Sequence, residues 1–228
     1  MNNMTWNRGM DMGYKLAIFD LDGTILNTLE DLADATNYAL EKHGYSGRTI
    51  DEVRRFVGNG IRKLIERAVP PGLPAAEIDK VHETFSDYYQ GHCADKTRPY
   101  EGILPLLQRL RAAGCLTAVV SNKADAAVQP LCRHYYEGLF DFAVGERAGI
   151  RRKPAPDAVF EVLRRLKMDE ADAVYIGDSE VDIRTAENAG LDSIIVTWGF
   201  RDREFLESQG ARRFVDRPEE IDKLMGIL

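Results

Sequence analysis

Hydrophobic and polar positions along this chain fall into two kinds of segment. Short runs rich in apolar and β-branched residues, bounded by polar ones, occur at 15–20, 116–121, 140–144, 173–177, 193–197 and 213–215. Such runs read as strands buried on both faces. Between them the period becomes helical. In "GILPLLQRLRAAG", Ile103, Leu106, Leu107 and Leu110 share one face, and Gly114 supplies a terminator. "PDAVFEVLRRLK" repeats the pattern with Val159, Val162, Leu163 and Leu166. Strands alternating with helices predict an α/β fold, a doubly wound and mostly parallel sheet covered on both faces.

One interval departs from the alternation. From about Thr28 to Thr97 only helical spacing is present. Leu29, Leu32, Ala33, Thr36, Leu40 and His43 form one segment, and Ile61, Leu64, Ile65 and Ala68 a second. A third runs from about Pro74 to His92, after the break at Pro70–Pro74. An ordinary crossover between parallel strands needs only about a dozen residues. The interval therefore predicts a small all-helical domain, residues 28–97, inserted after the first strand. The core would comprise 14–27 and 98–228, with joints near Asn27–Thr28 and Arg98–Gly102. Two long helices packed on the sheet are the plainer alternative. Residues 1–13 lack the apolar stretch of a signal peptide or a membrane span and read as a disordered leader.

The candidate chemistry collects where strands end, the edge at which open α/β sheets bind ligands. The first predicted strand ends in Asp20-Leu21-Asp22-Gly23-Thr24, the second in Ser121-Asn122-Lys123, and the fourth leads to Asp178 and Asp182. "RRKPAPD" brings Lys153 in just past the third. Four carboxylates on one rim would raise one another's pKa unless a cation compensated them. No His or Cys falls in these stretches, so a hard oxygen-ligated ion, Mg2+, suits the set better than zinc. Lys153 and the Ser121 hydroxyl add what a phosphoryl group needs. Asp20 and Asp22, two apart on an extended segment, point the same way. One could attack phosphorus to form an aspartyl-phosphate while the other protonates the leaving alkoxide. Gly23, with Thr24 and Asn122 beside it, would let backbone N–H groups approach the phosphoryl oxygens.

Composition narrows the partners. The chain has 228 residues, a net charge of −7 and no basic block, which disfavours nucleic acid. Its three cysteines form no CxxC pair and suit a reducing, cytoplasmic setting. A small phosphorylated metabolite is the expected partner, with no membrane contact, and monomer and homodimer are equally open.

"DLDGT", "VVSNK", "RKP" and "GDSEVD", in that order, resemble the four motifs of the haloacid dehalogenase superfamily, over about residues 14–225. The resemblance implies Asp20 as nucleophile and Asp22 as general acid/base. The Asp22 backbone carbonyl would join Asp20 and Asp178 around Mg2+, Ser121 and Lys153 would hold the phosphoryl group, and Asp182 would orient a metal-bound water. The helical insert resembles the family's small cap, with Gly58, Asn59, Gly60 and Arg62 facing substrate. An aspartate at position 22 points to phosphomonoester chemistry rather than dehalogenation. "FVGNGIRKLIERA" and "VTWGF" look most like phosphoglycolate phosphatases. Ile61 stands where similar phosphomutases tend to carry arginine, and Asn27-Thr28 departs from the Asp-Ser or Asp-Thr of many relatives. A pyrophosphatase or sugar phosphomutase is the alternative within the superfamily, and a non-catalytic phospho-aspartate switch is a remote one.

Overall fold

The computed structural model describes residues 13–227. Residues 1–12 of the predicted leader therefore lie outside the described residues. At the centre is β1 (Leu16–Phe19), between β4 (Leu116–Ala124) and β6 (Ala173–Gly177). With β5 (Phe142–Glu146), β7 (Asp192–Val196) and β8 (Phe214–Val215) the order is β5-β4-β1-β6-β7-β8. Every pairing in this sheet is parallel. Strand β4 runs three residues beyond its predicted end, so Asn122 and Lys123 lie within it.

Alternation along β1 explains the two layers. Ala17 and Phe19 face a cluster with Leu106, Leu107, Val128 and Ile221, from α5 (Ile103–Ala112), α6 (Asp125–Tyr136) and α10 (Glu219–Leu224). Leu16 and Ile18 face a second cluster with Val159, Val162 and Ala186, from α7 (Asp157–Leu166) and α8 (Glu180–Ala189). A short α9 (Arg203–Ser208) follows β7. A strand buried on both faces has no reason to alternate polar residues, hence its unbroken apolar run.

Ahead of α5, four helices follow β1 in the chain: α1 (Leu29–Lys42), α2 (Ile50–Phe56), α3 (Ile61–Ala68) and α4 (Ala75–His92). They bury their own cluster, including Leu40, Val53, Leu64, Ile65, Val81 and Phe85, joined by Phe200 from the sheet side. Burying each such side chain contributes roughly 1.5–3 kcal/mol before entropy is counted. The chain enters and leaves through a two-strand antiparallel ribbon, β2 (Leu26–Asn27) and β3 (Arg98–Pro99). Neither the ribbon nor α2 shows in the hydrophobic period, because both are too short. Helix α2 is marked instead by a capping box, in which Glu52 accepts from the Thr49 N–H while the Thr49 hydroxyl accepts from the Glu52 N–H. No helix among the described residues is long and apolar enough to cross a membrane.

Candidate active site

Register delivers the acidic residues to one rim. Phe19 pairs with both Val119 and Ile176, so Asp20, Ser121 and Asp178 leave neighbouring strands at nearly the same height. The Asp20 N–H still donates to the Ile176 carbonyl at 2.8 Å, which holds the residue against the sheet. A tight loop follows, closed by Leu26 N–H to Leu21 carbonyl at 2.9 Å, and it turns Asp22 back toward β4.

Lys153 is the hub of the site. Its side chain is 3% exposed, and its ammonium lies 2.9 Å from Asp20 Oδ1 and 2.8 Å from Asp182 Oδ1. It also donates to the Tyr175 hydroxyl at 3.0 Å. Burial works against its charge, but Asp182 and Asp20 outweigh burial and hold its pKa well above the usual value. Burial pushes the Asp20 carboxyl up, with Lys153 opposing and Asp182 and Asp178 adding to the rise. Burial, then Asp182, raises Asp178 to about 7.

Both oxygens of Asp182 have work within the fold. Oδ1 takes Lys153, and Oδ2 accepts from the Ser179 N–H at 3.1 Å and the Ser179 hydroxyl at 2.6 Å. It thus closes the first turn of α8 and supplies the counter-charge behind Lys153. This role stands beside the expected one of orienting a metal-bound water.

Asp178 is held with equal care. The Phe200 N–H donates to its Oδ2 at 2.7 Å, and the Thr24 hydroxyl donates to Oδ1 at 3.3 Å. A Cβ on Gly23 would sit 2.4 Å from Asp178 Oδ2, and one on Gly199 would sit 2.2 Å from Asp178 Cβ. Gly23 also has φ of +83°, which disfavours any side chain. Gly23 and Thr24, expected against the phosphoryl group, therefore serve as the cradle of Asp178. Gly199 completes that cradle, and its only sequence signal is its place in "VTWGF".

Carboxylate oxygens of Asp20, Asp178 and Asp182 all lie within 4.8 Å of one another. Asp20 and Asp178, the two side chains expected at the cation, are therefore close enough to share one ion. Two hard oxygen donors, with no His or Cys among the lining residues, fit Mg2+ and not a softer metal.

These groups open into a cavity of about 50 Å³ roofed by the helices. Asp20, Asp22, Ser121, Asn122, Lys153 and Asp178 line it, as do Gly58 and Gly60 from the loop between α2 and α3. Asn122 also donates from Nδ2 to the Lys153 carbonyl at 3.1 Å, tying β4 to the lysine's loop. Two expected residues turn away. Arg62 pairs with Glu66 at 3.0 Å and with Asp79, and the Asn59 amide oxygen accepts from Arg67 at 2.6 Å. Charge pairing on the helix surface outcompetes the cavity, whose roof is apolar there, with Leu32, Ile61 and Leu64. Lys123, named in the second motif but given no role, and Arg201, not singled out, also line the cavity. Arg201 donates to Glu180, to the Arg54 carbonyl and, at 2.6 Å, to the Val57 carbonyl, closing the exposed end of α2 from the sheet side.

Known proteins resemble this chain over most of its length. A family model described as haloacid dehalogenase-like hydrolase matches residues 17–196. The chain is 35% identical over 207 residues to the phosphoglycolate phosphatase of Mesorhizobium japonicum, covering 86% of this chain and 88% of that protein. It is 31% identical over 212 residues to the N-acetylmuramic acid 6-phosphate phosphatase of Pseudomonas aeruginosa, covering 92% and 94%. A crystal structure described as a candidate phosphoglycolate phosphatase, from Lactobacillus delbrueckii subsp. bulgaricus, superimposes with a TM-score of 0.90 at 42% identity, covering 93% of this chain and 99% of that one. With the motif residues gathered at one sheet edge and the match spanning most of the chain, this protein belongs to the haloacid dehalogenase-like hydrolase family.

Proposed function

We propose that the chain is a Mg2+-dependent phosphatase of a small phosphomonoester, with 2-phosphoglycolate the leading substrate. The observation that carries the reading is Lys153 between Asp20 and Asp182 at the floor of a cavity of about 50 Å³. A buried lysine beside the candidate nucleophile, with Ser121 lining the same cavity, supplies the fixed charge and hydroxyl that a phosphoryl group needs. Relatives named as phosphatases support the reaction class, and the small cavity supports a small ester.

In this reading Asp20 attacks phosphorus and carries the phosphoryl group, while Lys153 and Ser121 hold its oxygens. Asp22 protonates the departing alkoxide and then takes a proton from the incoming water. Mg2+, held by Asp20, Asp178 and the Asp22 carbonyl, would neutralise charge on the phosphoryl oxygens. Residues 28–97 act as a cap that excludes water, with 14–27 and 98–228 as the core. The Gly58 and Gly60 backbone and Arg201 are the groups able to meet a substrate carboxylate. Among the described residues the three cysteines are free thiols, which supports a cytoplasmic setting.

A panel comparing 2-phosphoglycolate, N-acetylmuramic acid 6-phosphate, sugar phosphates and pyrophosphate with Mg2+ tests the reading. The expected ranking by kcat/KM places 2-phosphoglycolate first. A bulky sugar phosphate at the top would overturn the substrate, and no release of phosphate from any of them would overturn the enzyme.

A further inference from the structure

Lys123 has no part in the mechanism above, yet it is as buried as Lys153, with its side chain 3% exposed. It sits near the end of β4, and its ammonium lies 3.0 and 3.2 Å from the two carboxylate oxygens of Asp22. Its third partner is the Tyr89 hydroxyl at 2.7 Å. An ammonium has three N–H donors, and here three oxygens meet them. Lys153 is likewise met by three oxygens, so what sets Lys123 apart is the identity of its partners, Asp22 and Tyr89.

The origin of those oxygens matters. Asp22 comes from the loop after β1, in the sheet layer. Tyr89 comes from α4, in the helical insert, where it stacks on Phe85 with ring centroids 5.2 Å apart. The Tyr89 side chain thus belongs to the insert's core, and its hydroxyl reaches down to the sheet layer. A lysine has four rotatable bonds, and one carboxylate fixes such a side chain only loosely. The second anchor completes it.

We propose that Lys123 is a positioning residue that aims the Asp22 carboxyl at the leaving-group oxygen, and that Tyr89 makes this aim conditional on the helices lying over the sheet. The inference rests on the acid role of Asp22 stated above. Its consequence is a check on timing: Asp22 is oriented for proton transfer only once the cavity is covered. Misplacing a reacting group by about 1 Å costs on the order of 10²-fold in rate, so a single salt link has room to matter.

The test compares kcat/KM for the best alkyl phosphate of the panel and for p-nitrophenyl phosphate, in Lys123→Met, Tyr89→Phe and Asp22→Asn. This ratio reports events through departure of the leaving group. An alkoxide must be protonated as it leaves, whereas nitrophenolate leaves without help. Lys123→Met should lose roughly 10²-fold on the alkyl ester and less than about threefold on the aryl ester. Tyr89→Phe should lose about tenfold on the alkyl ester alone. Equal losses on both esters in Lys123→Met, with Asp22→Asn selective, would overturn the proposal and leave the acid role standing. Equal losses in Asp22→Asn would instead remove the acid role and the proposal with it. Should Lys123→Met fail to fold, Tyr89→Phe decides, since it removes one hydroxyl from a retained ring. Selective loss supports the link, and unchanged selectivity overturns it.

Discussion

Replacing Lys153 with methionine keeps the apolar stem and removes the charge. What remains is Asp182, fully buried, and Asp20, 8% exposed, with no cation between them. Removing one partner of a buried ion pair costs about 3–5 kcal/mol, because the other charge is left uncompensated. The carboxyls can relieve part of this by protonating, so about 3 kcal/mol is expected at pH 8. For a chain of this size that lowers Tm by roughly 10 °C. The sign with pH follows from the same chemistry. Orphaned carboxyls have raised pKa values in the folded state, so the folded variant binds protons the unfolded chain does not, and it regains stability as pH falls. Urea denaturation at pH 8 and pH 5 should show the deficit against the unmodified protein shrinking to about 1 kcal/mol at the lower pH. A deficit below about 1 kcal/mol at pH 8, or one that does not change with pH, would refute the claim that Lys153 compensates two buried charges. Activity should fall by more than about 10³-fold at either pH, since the phosphoryl group loses its fixed cation.

Metal binding should follow Asp178, whose carboxyl is raised to about 7 from an ordinary value near 3.8. A raised acid favours the folded state below its unfolded pKa, and this contribution is lost as pH climbs toward 7. Because Mg2+ needs the ionised form, the Mg2+-induced rise in Tm should be larger at pH 8 than at pH 6, and an equal or reversed effect would contradict the assignment. Chelation should silence turnover, with activity restored by added Mg2+. Gly199→Ala should push Asp178 from its place, given the 2.2 Å approach, at a cost of about 1–3 kcal/mol. It should weaken Mg2+ activation by at least about tenfold, read from the Mg2+ dependence of rate, and unchanged Mg2+ activation would show that the cradle is slack.

How far the sequence carries this picture depends on the range of the forces involved. Asp20, Ser121 and Asp178 were legible because each ends a buried apolar run, and parallel register places such ends together. The helical insert was legible from the length of its periodic stretch. Helix α2 and the ribbon Leu26–Asn27 with Arg98–Pro99 were not, since seven residues and two cannot display a period. Arg62 carried a warning that was available, as Glu66 lies four residues on and competes for the guanidinium. Thr24 and Gly23 sit beside Asp178, 154 residues later in the case of Thr24, and no local rule could reveal that they cradle a carboxylate. Lys123 and its partner Asp22 are separated by 101 residues, so their pairing appears only when the sheet forms. Asn27, the departure from the first motif, accepts weakly from the Leu29 N–H at 3.4 Å near the start of α1, a task either Asn or Asp performs.

The mechanism turns on Asp20 accepting a phosphoryl group. Acid quenching during steady turnover of an alkyl phosphate, followed by peptide mass analysis, reads this directly. The peptide containing Asp20 should carry the mass of one phosphoryl group, sensitive to mild base, and Asp20→Asn should abolish both the label and turnover while keeping its fold. Phosphate released with no label on that peptide, or turnover persisting in Asp20→Asn, would contradict it.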